Sequence, residues 1–378
     1  MDHPSEDQQH AWDVVTEWFF DKPDVRCAAL AGLAGTGKTT VAASLMQHFS
    51  SRGIRCLSAA PFGRAASALR KKGVPANTLC SMLYSFAGSY IDADGNEQMR
   101  FRDRDWNHNC DVLFVDEASQ VDTRTFKDLM AKDVRALFIG DHGQLRPVGS
   151  DPKIMSKPTV RLERIHRQAE GSNILRAAYW ARQDRPLPLG ESSDVAIREI
   201  ESLEHAVSMA EEEGVDCLIT GMNKTRFEVN RLMRRRTGRS LKDPPEPGEP
   251  ILCRRNENDR NVFNGEVYTV HEYKGTYPRY HVLILKDEFG KVLPGEFRCY
   301  RDGFDAPETV LKMDLHKHES YFEWGYAMTC HVMQGSEAPR GLVIDEPFGD
   351  VPAWRYTAFT RFSERLIVGR KARGFRGV

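Results

Sequence analysis

Lys38 and Thr39 sit in the stretch LAGLAGTGKTTVAASL, where Gly32, Gly37, Lys38 and Thr39 satisfy the spacing G-x-x-x-x-G-K-[ST]. Glycines at those positions let backbone N–H groups turn toward the β- and γ-phosphates of a nucleotide. The lysine adds a point charge, and the threonine hydroxyl can ligate Mg²⁺. A second segment, LFVDEAS, ends an apolar run with Asp116 and Glu117. One carboxylate suits the magnesium shell and the other can take a proton from attacking water. FIGDHGQLRPV ends a further run with Gly140, Asp141 and Gln144, where an uncharged amide can sense a γ-phosphate or orient water. Two arginines lie far along the chain, Arg167 in LERIHRQ and Arg361 in RYTAFTRFSERLIV. An arginine that stabilises transition-state charge is worth about 10³–10⁵ in rate. Taken singly, each reads more readily as a surface residue than as a catalytic one.

These residues need strands to carry them. The runs VRCAALAG, IRCLSAA, DVLFVD and ALFIGD are rich in β-branched, aromatic or small apolar residues, and most end at a small or acidic residue. Strands of a parallel sheet look this way, with chemistry at their C-terminal ends. A second series follows Pro147, with VDCLITG, GLVID and RLIVG as strands and SNILRAAYWAR and TRFEVNRLMRRR as helices. Two α/β units are expected. Between Phe263 and Tyr321 the pattern changes to VYTVHEY and YHVLILKDEFGKVLPGEF, which predicts antiparallel strands and a small β-barrel inserted in the second unit. The proline-dense KDPPEPGEP predicts a loop.

The chain has 378 residues, enough for two large units at roughly 100–200 residues per domain. Its net charge of −1 means that a nucleic-acid ligand must meet a local basic channel, not a globally basic surface. Eight cysteines include no CxxC pair, and Cys27, Cys56, Cys110 and Cys217 fall in apolar runs. They read as small core hydrophobes in a reducing cytoplasm, not as a zinc or disulfide framework. No apolar run approaches the roughly 18 residues of a membrane span, and the acidic, polar MDHPSEDQQH is unlike a signal peptide. The expectation is a cytoplasmic protein with no membrane partner.

From Gln8 to about Val368 the chain resembles the superfamily-one helicases of the RecD/Dda-like subgroup, with motifs in family order. The resemblance makes Gly32, Gly35, Thr36, Gly37, Lys38, Thr39 and Thr40 the phosphate loop for ATP, with Thr39 and Asp116 holding Mg²⁺. It makes Lys38, Glu117, Gln144, Arg167 and Arg361 the catalytic set, the two arginines acting as fingers. EDQQHA resembles the family's glutamine motif, so Gln8 would read the adenine edge. AAPFGRAASAL resembles the segment that grips single-stranded DNA, with Pro61, Phe62 and Arg64 at the strand channel, and ANTLCSML resembles the next DNA-contacting motif, around Thr78. Cys80 stands there where the family commonly has His. TGMNKTRFEVN resembles the segment in which Asn223 and Lys224 meet the DNA backbone. YAMTCHVMQGSE resembles the motif that couples nucleotide state to DNA grip, with Thr329, His331, Gln334, Gly335, Ser336 and Glu337 in register and Val332 in place of the usual Lys. Gln334, Gly335 and Glu337 fall on the nucleotide side, and Thr329 and His331 on the DNA side.

The implied fold is α/β, with two RecA-like P-loop NTPase domains. The first motor domain takes 1–83 and 109–150 around a pin insert at 84–108. The second takes 151–262 and 322–378 around an SH3-like β-barrel at 263–321. The pin would be the hairpin IDADGNEQMRF, turning at Asp94-Gly95. The implied activity is ATP-dependent 5′ to 3′ movement on single-stranded DNA with strand separation. Phe62 and His331 would offer ring faces to bases, and Lys224, Arg226 and Arg64 would contact the backbone. Expected partners are single-stranded DNA, fork or tailed duplex DNA, and replication or repair proteins such as a single-strand-binding protein, with the chain itself a monomer. Two other readings stand beside this one: an RNA-directed helicase, and an ATP-switched DNA-binding or assembly factor without unwinding.

Overall fold

The computed structural model describes residues 4–91, 97–147, 149–164, 171–310 and 319–376. The chain divides into two compact units, the first made of 1–86, 101–186 and 349–360 and the second of 87–100, 187–348 and 361–378.

In the first unit the strands are β1 (Cys27–Gly32), β2 (Cys56–Ala60), β3 (Ala76–Thr78), β6 (Val112–Val115), β7 (Arg135–Gly140) and β8 (Val160–Leu162). Between β3 and β6 in the chain, β4 (Tyr84–Ile91) and β5 (Glu97–Asp103) form a separate two-stranded ribbon. The main sheet runs β3-β2-β6-β7-β1-β8, and every pair in it is parallel. Side chains alternate between its two faces. Ala28, Leu30, Val112, Phe114, Leu137 and Ile139 enter one core, while Ala29, Ala31, Leu113, Val115, Ala136 and Phe138 enter the other. A strand buried on both faces must be apolar throughout, which is why these runs lack a polar alternation. The helices are α1 (Glu6–Asp21), α2 (Lys38–Ser51), α3 (Gly63–Lys71), α4 (Leu79–Leu83), α5 (Thr123–Met130) and α6 (Asn173–Arg182).

The second unit holds a sheet ordered β17-β11-β18-β19-β10-β9, from β9 (Gly190–Glu191), β10 (Val195–Ser202), β11 (Cys217–Thr220), β17 (Ala327–Thr329), β18 (Ala338–Asp345) and β19 (Phe362–Arg376). All its pairs are parallel except β9 with β10. Helices α7 (Leu203–Glu212) and α8 (Asn223–Arg236) share one core with this sheet through Ala206, Val207, Val229 and Leu232. A five-stranded antiparallel sheet, β15-β14-β13-β12-β16, has its own core around Ile251, Tyr268, Leu283, Phe297, Phe322 and Trp324. Its strands are β12 (Pro250–Cys253), β13 (Val267–Thr276), β14 (Tyr280–Lys286), β15 (Phe297–Tyr300) and β16 (Phe322–Trp324). The last helix, α9 (Val351–Phe359), belongs to the first unit.

The division differs from the sequence-based boundaries in several places, among them residues 87–100, which fall in the second unit. β8 pairs with β1 in register Leu30↔Val160, so the first sheet continues past residue 150. α6 and α9 also belong to the first unit, although α6 falls within the stretch assigned to the second unit and α9 interrupts its series of strands. The antiparallel sheet begins at Pro250 and includes β16, because β12 pairs with both β13 and β16. Pairing partners far apart in sequence leave no local spacing signal. The expected hairpin turn at Asp94-Gly95 lies outside the described residues.

Candidate nucleotide-binding site

β1 ends at Gly32 and α2 begins at Lys38, and the five residues between them make the turn. Gly35 and Gly37 adopt φ of 78° and 84°, a left-handed conformation open to glycine at little cost. Gly37 is the N-cap of α2 and no side chain bonds to that cap. The first-turn N–H groups and the positive end of the helix dipole therefore point at the loop, an arrangement suited to phosphate oxygens. Lys38 Nζ donates to the carbonyls of Gly32 and Leu33, both at 2.8 Å. Thr36 is buried and its hydroxyl donates to Leu33 O at 2.8 Å, while Thr39 and Thr40 are exposed in the first turn of α2. Gln8 is buried at the start of α1, where its Oε1 accepts from Ser5 N at 3.1 Å and its Nε2 reaches Thr36 O at 3.5 Å.

β6, β7 and β1 are neighbours in the sheet, so their C-terminal ends lie side by side. Asp116 follows β6, and burial pushes its carboxyl above the ordinary range, against the opposing pull of the Glu117 N–H and Lys38. Glu117 has φ of 51°, uncommon for a residue with a side chain, and its N–H donates to Asp116 Oδ1 at 2.9 Å. Asp141 follows β7 and lies 3.9 Å from Lys38 Nζ. Gln144 is buried, and its Oε1 has no hydrogen-bond partner among the described residues. His142 Nδ1 and Ser119 Oγ are likewise buried and unpaired. All three residues line a cavity of about 190 Å³ that also touches Arg161 and Arg182. An unpaired buried acceptor of this kind calls for a polar occupant.

Three residues of this site carry no sequence signal of their own. Tyr356, on α9, accepts from Ala34 N at 2.7 Å and donates to Asp141 Oδ2 at 2.7 Å. Thr357 Oγ1 accepts from Leu145 N at 2.9 Å. Tyr179, on α6, donates to Ala34 O, and burial beside Asp141 pushes its hydroxyl up to about 12. In YTAFTR only the arginine has a family role, whereas Tyr356 and Thr357 hold the phosphate loop and the Gln144 loop.

In the second unit, Arg361 is buried and its Nη1 donates to Ser336 O at 3.1 Å, which brings it together with the Gln334–Glu337 segment. Gln334 Nε2 is buried and unpaired among the described residues, Gly335 has φ of 75°, and Glu337 is exposed. Arg167 lies outside the described residues.

The residues expected at DNA are variously placed. Phe62 is 47% exposed at the N-cap of α3, so it is not a core aromatic, and Pro61 and Arg64 are half-buried beside it. Thr78 caps α4, accepting from Ser81 N at 3.2 Å. Asn223 and Lys224 are exposed in the first turn of α8, whereas Thr329 is buried at the end of β17. The His331 ring is held below its usual pKa by burial and lies 5.6 Å from the exposed ring of Phe348. Arg226 is corrected. It is buried and ion-paired with Glu323, so its guanidinium belongs to the core and not to a backbone contact. All eight cysteines are free thiols, with Cys80 exposed. No helix among the described residues is long and apolar enough to cross a membrane.

The family described as AAA domain matches residues 6–198. The ATP-dependent RecD2 DNA helicase of Deinococcus radiodurans is 25% identical over 373 residues, covering 90% of this chain and 46% of its own length. The conjugal transfer protein TraA of Agrobacterium fabrum is 29% identical over 155 residues, covering 38% of this chain and 13% of its own. The chain thus spans less than half the length of these curated relatives. Among solved structures, Pif1 helicases at forked duplex DNA superpose with a TM-score of 0.59 at 16% identity, over 97% of this chain and 92% of theirs. Bacteroides Pif1 bound to single-stranded DNA gives 0.55 at 16% identity, over 96% and 91%. The chain belongs to the AAA domain family.

Proposed function

We propose that this protein is an ATP-hydrolysing DNA helicase that moves 5′ to 3′ on single-stranded DNA. The observation that carries the reading is the placement of the Lys38 loop, the Asp116–Glu117 pair and the Asp141–Gln144 loop at the C-terminal ends of the neighbouring strands β1, β6 and β7. Thr39 hydroxyl and Asp116 carboxyl are hard oxygen donors, a set that fits Mg²⁺, whose charge would offset that of the phosphates. Lys38 exchanges the Gly32 and Leu33 carbonyls for phosphate oxygens. Glu117 takes the proton of the attacking water and Gln144 orients that water. Arg361, with Arg167, stabilises charge on the transferring group. Gln8, next to the phosphate loop, reads the adenine edge.

Single-stranded and forked DNA are the substrates we assign, in line with those of the Pif1 structures. Phe62 and His331 stack on bases while Arg64, Asn223 and Lys224 meet the backbone, with Pro61, Thr78 and Thr329 lining the path. The β4–β5 ribbon serves as the strand-separating pin, and the antiparallel sheet from Pro250 to Trp324 as an SH3-like insert. The protein works as a monomer in the cytoplasm, alongside replication or repair proteins such as a single-strand-binding protein.

Single-turnover unwinding of duplexes with a 5′ or a 3′ tail tests this. A 5′-tailed duplex should open and a 3′-tailed one should not, and unwinding of only the 3′-tailed duplex would reverse the polarity. Stimulation of ATPase by RNA in place of DNA would reassign the substrate. Replacing 91–101 by a tight Gly-containing turn should abolish unwinding and spare DNA-stimulated ATPase. A parallel loss of both would make the ribbon part of the motor.

A further inference from the structure

Asp141 is a carboxylate in an awkward place. Its side chain is 2% exposed, and Oδ2 lies 3.9 Å from Lys38 Nζ, about an ångström beyond a direct charge-assisted hydrogen bond. A direct pair would set the ammonium against a full negative charge. Phosphate would then have to compete with a buried carboxylate for the residue that is meant to bind it. The lysine instead rests on two neutral carbonyls, which are weaker acceptors and easier to exchange.

The oxygens of Asp141 are both engaged elsewhere. Oδ1 accepts from Gly143 N at 2.8 Å and Oδ2 accepts from the Tyr356 hydroxyl at 2.7 Å. The oxygen facing Lys38 is therefore the one that Tyr356 holds. The hydroxyl proton has little choice of direction, because the Tyr356 oxygen already accepts from Ala34 N at 2.7 Å. Burial, with the Asp141 carboxylate beside it, pushes the Tyr356 hydroxyl well above its ordinary pKa, so it remains a donor at neutral pH.

The ring is fixed from several sides. A Cβ at Gly143 would come within 2.9 Å of Tyr356 Cε1 and 2.6 Å of Leu33 Cδ2, so the absence of a side chain there lets the ring reach the loop. Thr357, the next residue, ties α9 to Leu145 N at 2.9 Å and to Ala353 O at 2.7 Å. Tyr179 packs its ring 6.1 Å from that of Tyr356 and donates to Ala34 O.

We propose that Tyr356 is a positioning residue that guards the phosphate-loop lysine: by donating to Asp141 Oδ2 it prevents that carboxylate from capturing Lys38, and so keeps the ammonium exchangeable for phosphate. This rests on the nucleotide-binding reading of the site. Tyr356→Phe keeps the ring and removes only the donor. Asp141 then lacks a partner for Oδ2 in a buried setting, and Lys38 Nζ, 3.9 Å away, can supply one.

The test is a double-mutant cycle over Tyr356→Phe and Asp141→Asn, read as binding of Mg²⁺ and a fluorescent ATP analogue and as the KM for ATP. In the Asp141 background, Tyr356→Phe should weaken binding by about tenfold to a hundredfold, with the loss in KM and not in kcat. In the Asp141→Asn background the same change should cost about twofold or less, because a neutral amide cannot trap the ammonium. Equal losses in both backgrounds overturn the guard role, as does wild-type affinity in Tyr356→Phe. A Tyr356→Phe chain that no longer melts cooperatively gives the hydroxyl a folding role and overturns it too. Failure of the wild-type protein to bind the analogue is a different result, because it removes the nucleotide site itself.

Discussion

Arg226 Nη1 and Glu323 Oε2 meet at 2.5 Å with both side chains only 2% exposed, joining α8 to β16 inside the second unit. The pair is not isolated, since Glu323 Oε1 accepts from the Tyr321 hydroxyl at 2.7 Å. Breaking a buried pair from one side leaves a charge without water or partner. Glu323→Ala should therefore lower stability by about 3–5 kcal/mol, while Arg226→Met with Glu323→Leu should cost much less. Urea unfolding of the three proteins decides it. A loss under about 1 kcal/mol in Glu323→Ala would mean that the pair is solvated in solution.

Lys38→Ala removes the charge proposed for phosphate and should abolish ATP hydrolysis while leaving single-stranded DNA binding within about twofold. Glu117→Gln should behave differently. It keeps the shape and the phosphate contacts but cannot accept a proton, so turnover should fall by about 10²–10⁴ with nucleotide still bound. Filter binding and steady-state ATPase separate the two. If Glu117→Gln loses nucleotide, the residue is a binding group and not the base.

His281 is buried on β14 and Nδ1 is 2.8 Å from Thr276 Oγ1, with Nε2 unpaired among the described residues. Burial, together with Arg301 and Arg234, lowers its pKa to about 4. The unfolded chain binds this proton near pH 6.5 and the folded one only near 4. Protonation of the unfolded state thus takes stability away as pH falls from about 6.5 to 4, and above that window the group is neutral in both states. His281→Asn should flatten this part of the stability-against-pH curve, followed by urea unfolding at fixed pH steps. An unchanged slope assigns the acid sensitivity to other groups.

Phe62→Ala should weaken single-stranded DNA binding by about 1–3 kcal/mol, the range for one base stacked on an aromatic side chain. Phe62→Trp should retain it. Fluorescence anisotropy with a labelled oligonucleotide reads both, and because Phe62 is exposed, neither change should move the melting temperature much. Equal affinity in all three proteins would remove Phe62 from the strand path.

Much of the first unit was legible because its signals are local. The phosphate loop is read from spacing within a single turn, and it lies between β1 and α2 as that spacing requires. The parallel strands are read from apolar runs, since a strand buried on both faces has no other composition open to it. Asp116 and Asp141 come at or just after strand ends for the same reason: the run stops where the chain leaves the core.

What the chain does at a distance was decided only by tertiary structure. β8 joins β1 through three residues, Val160–Leu162, too few to show a period. The arginines of α8 look alike in sequence, yet Arg226 and Arg234 are buried against Glu323 and Glu249 while Arg235 and Arg236 are exposed. Helical spacing sorts faces but does not say which face a carboxylate from another strand will meet. Tyr356 is the sharpest case. Local pattern makes it one more aromatic on a helix, and only the return of α9 to the first unit brings its hydroxyl between Ala34 and Asp141. Sequence alone determined which groups could bind phosphate, because that chemistry is written in consecutive residues. Which other groups hold the lysine's neighbours in place depended on packing between segments hundreds of residues apart, where the energy lies in contacts that no local spacing encodes.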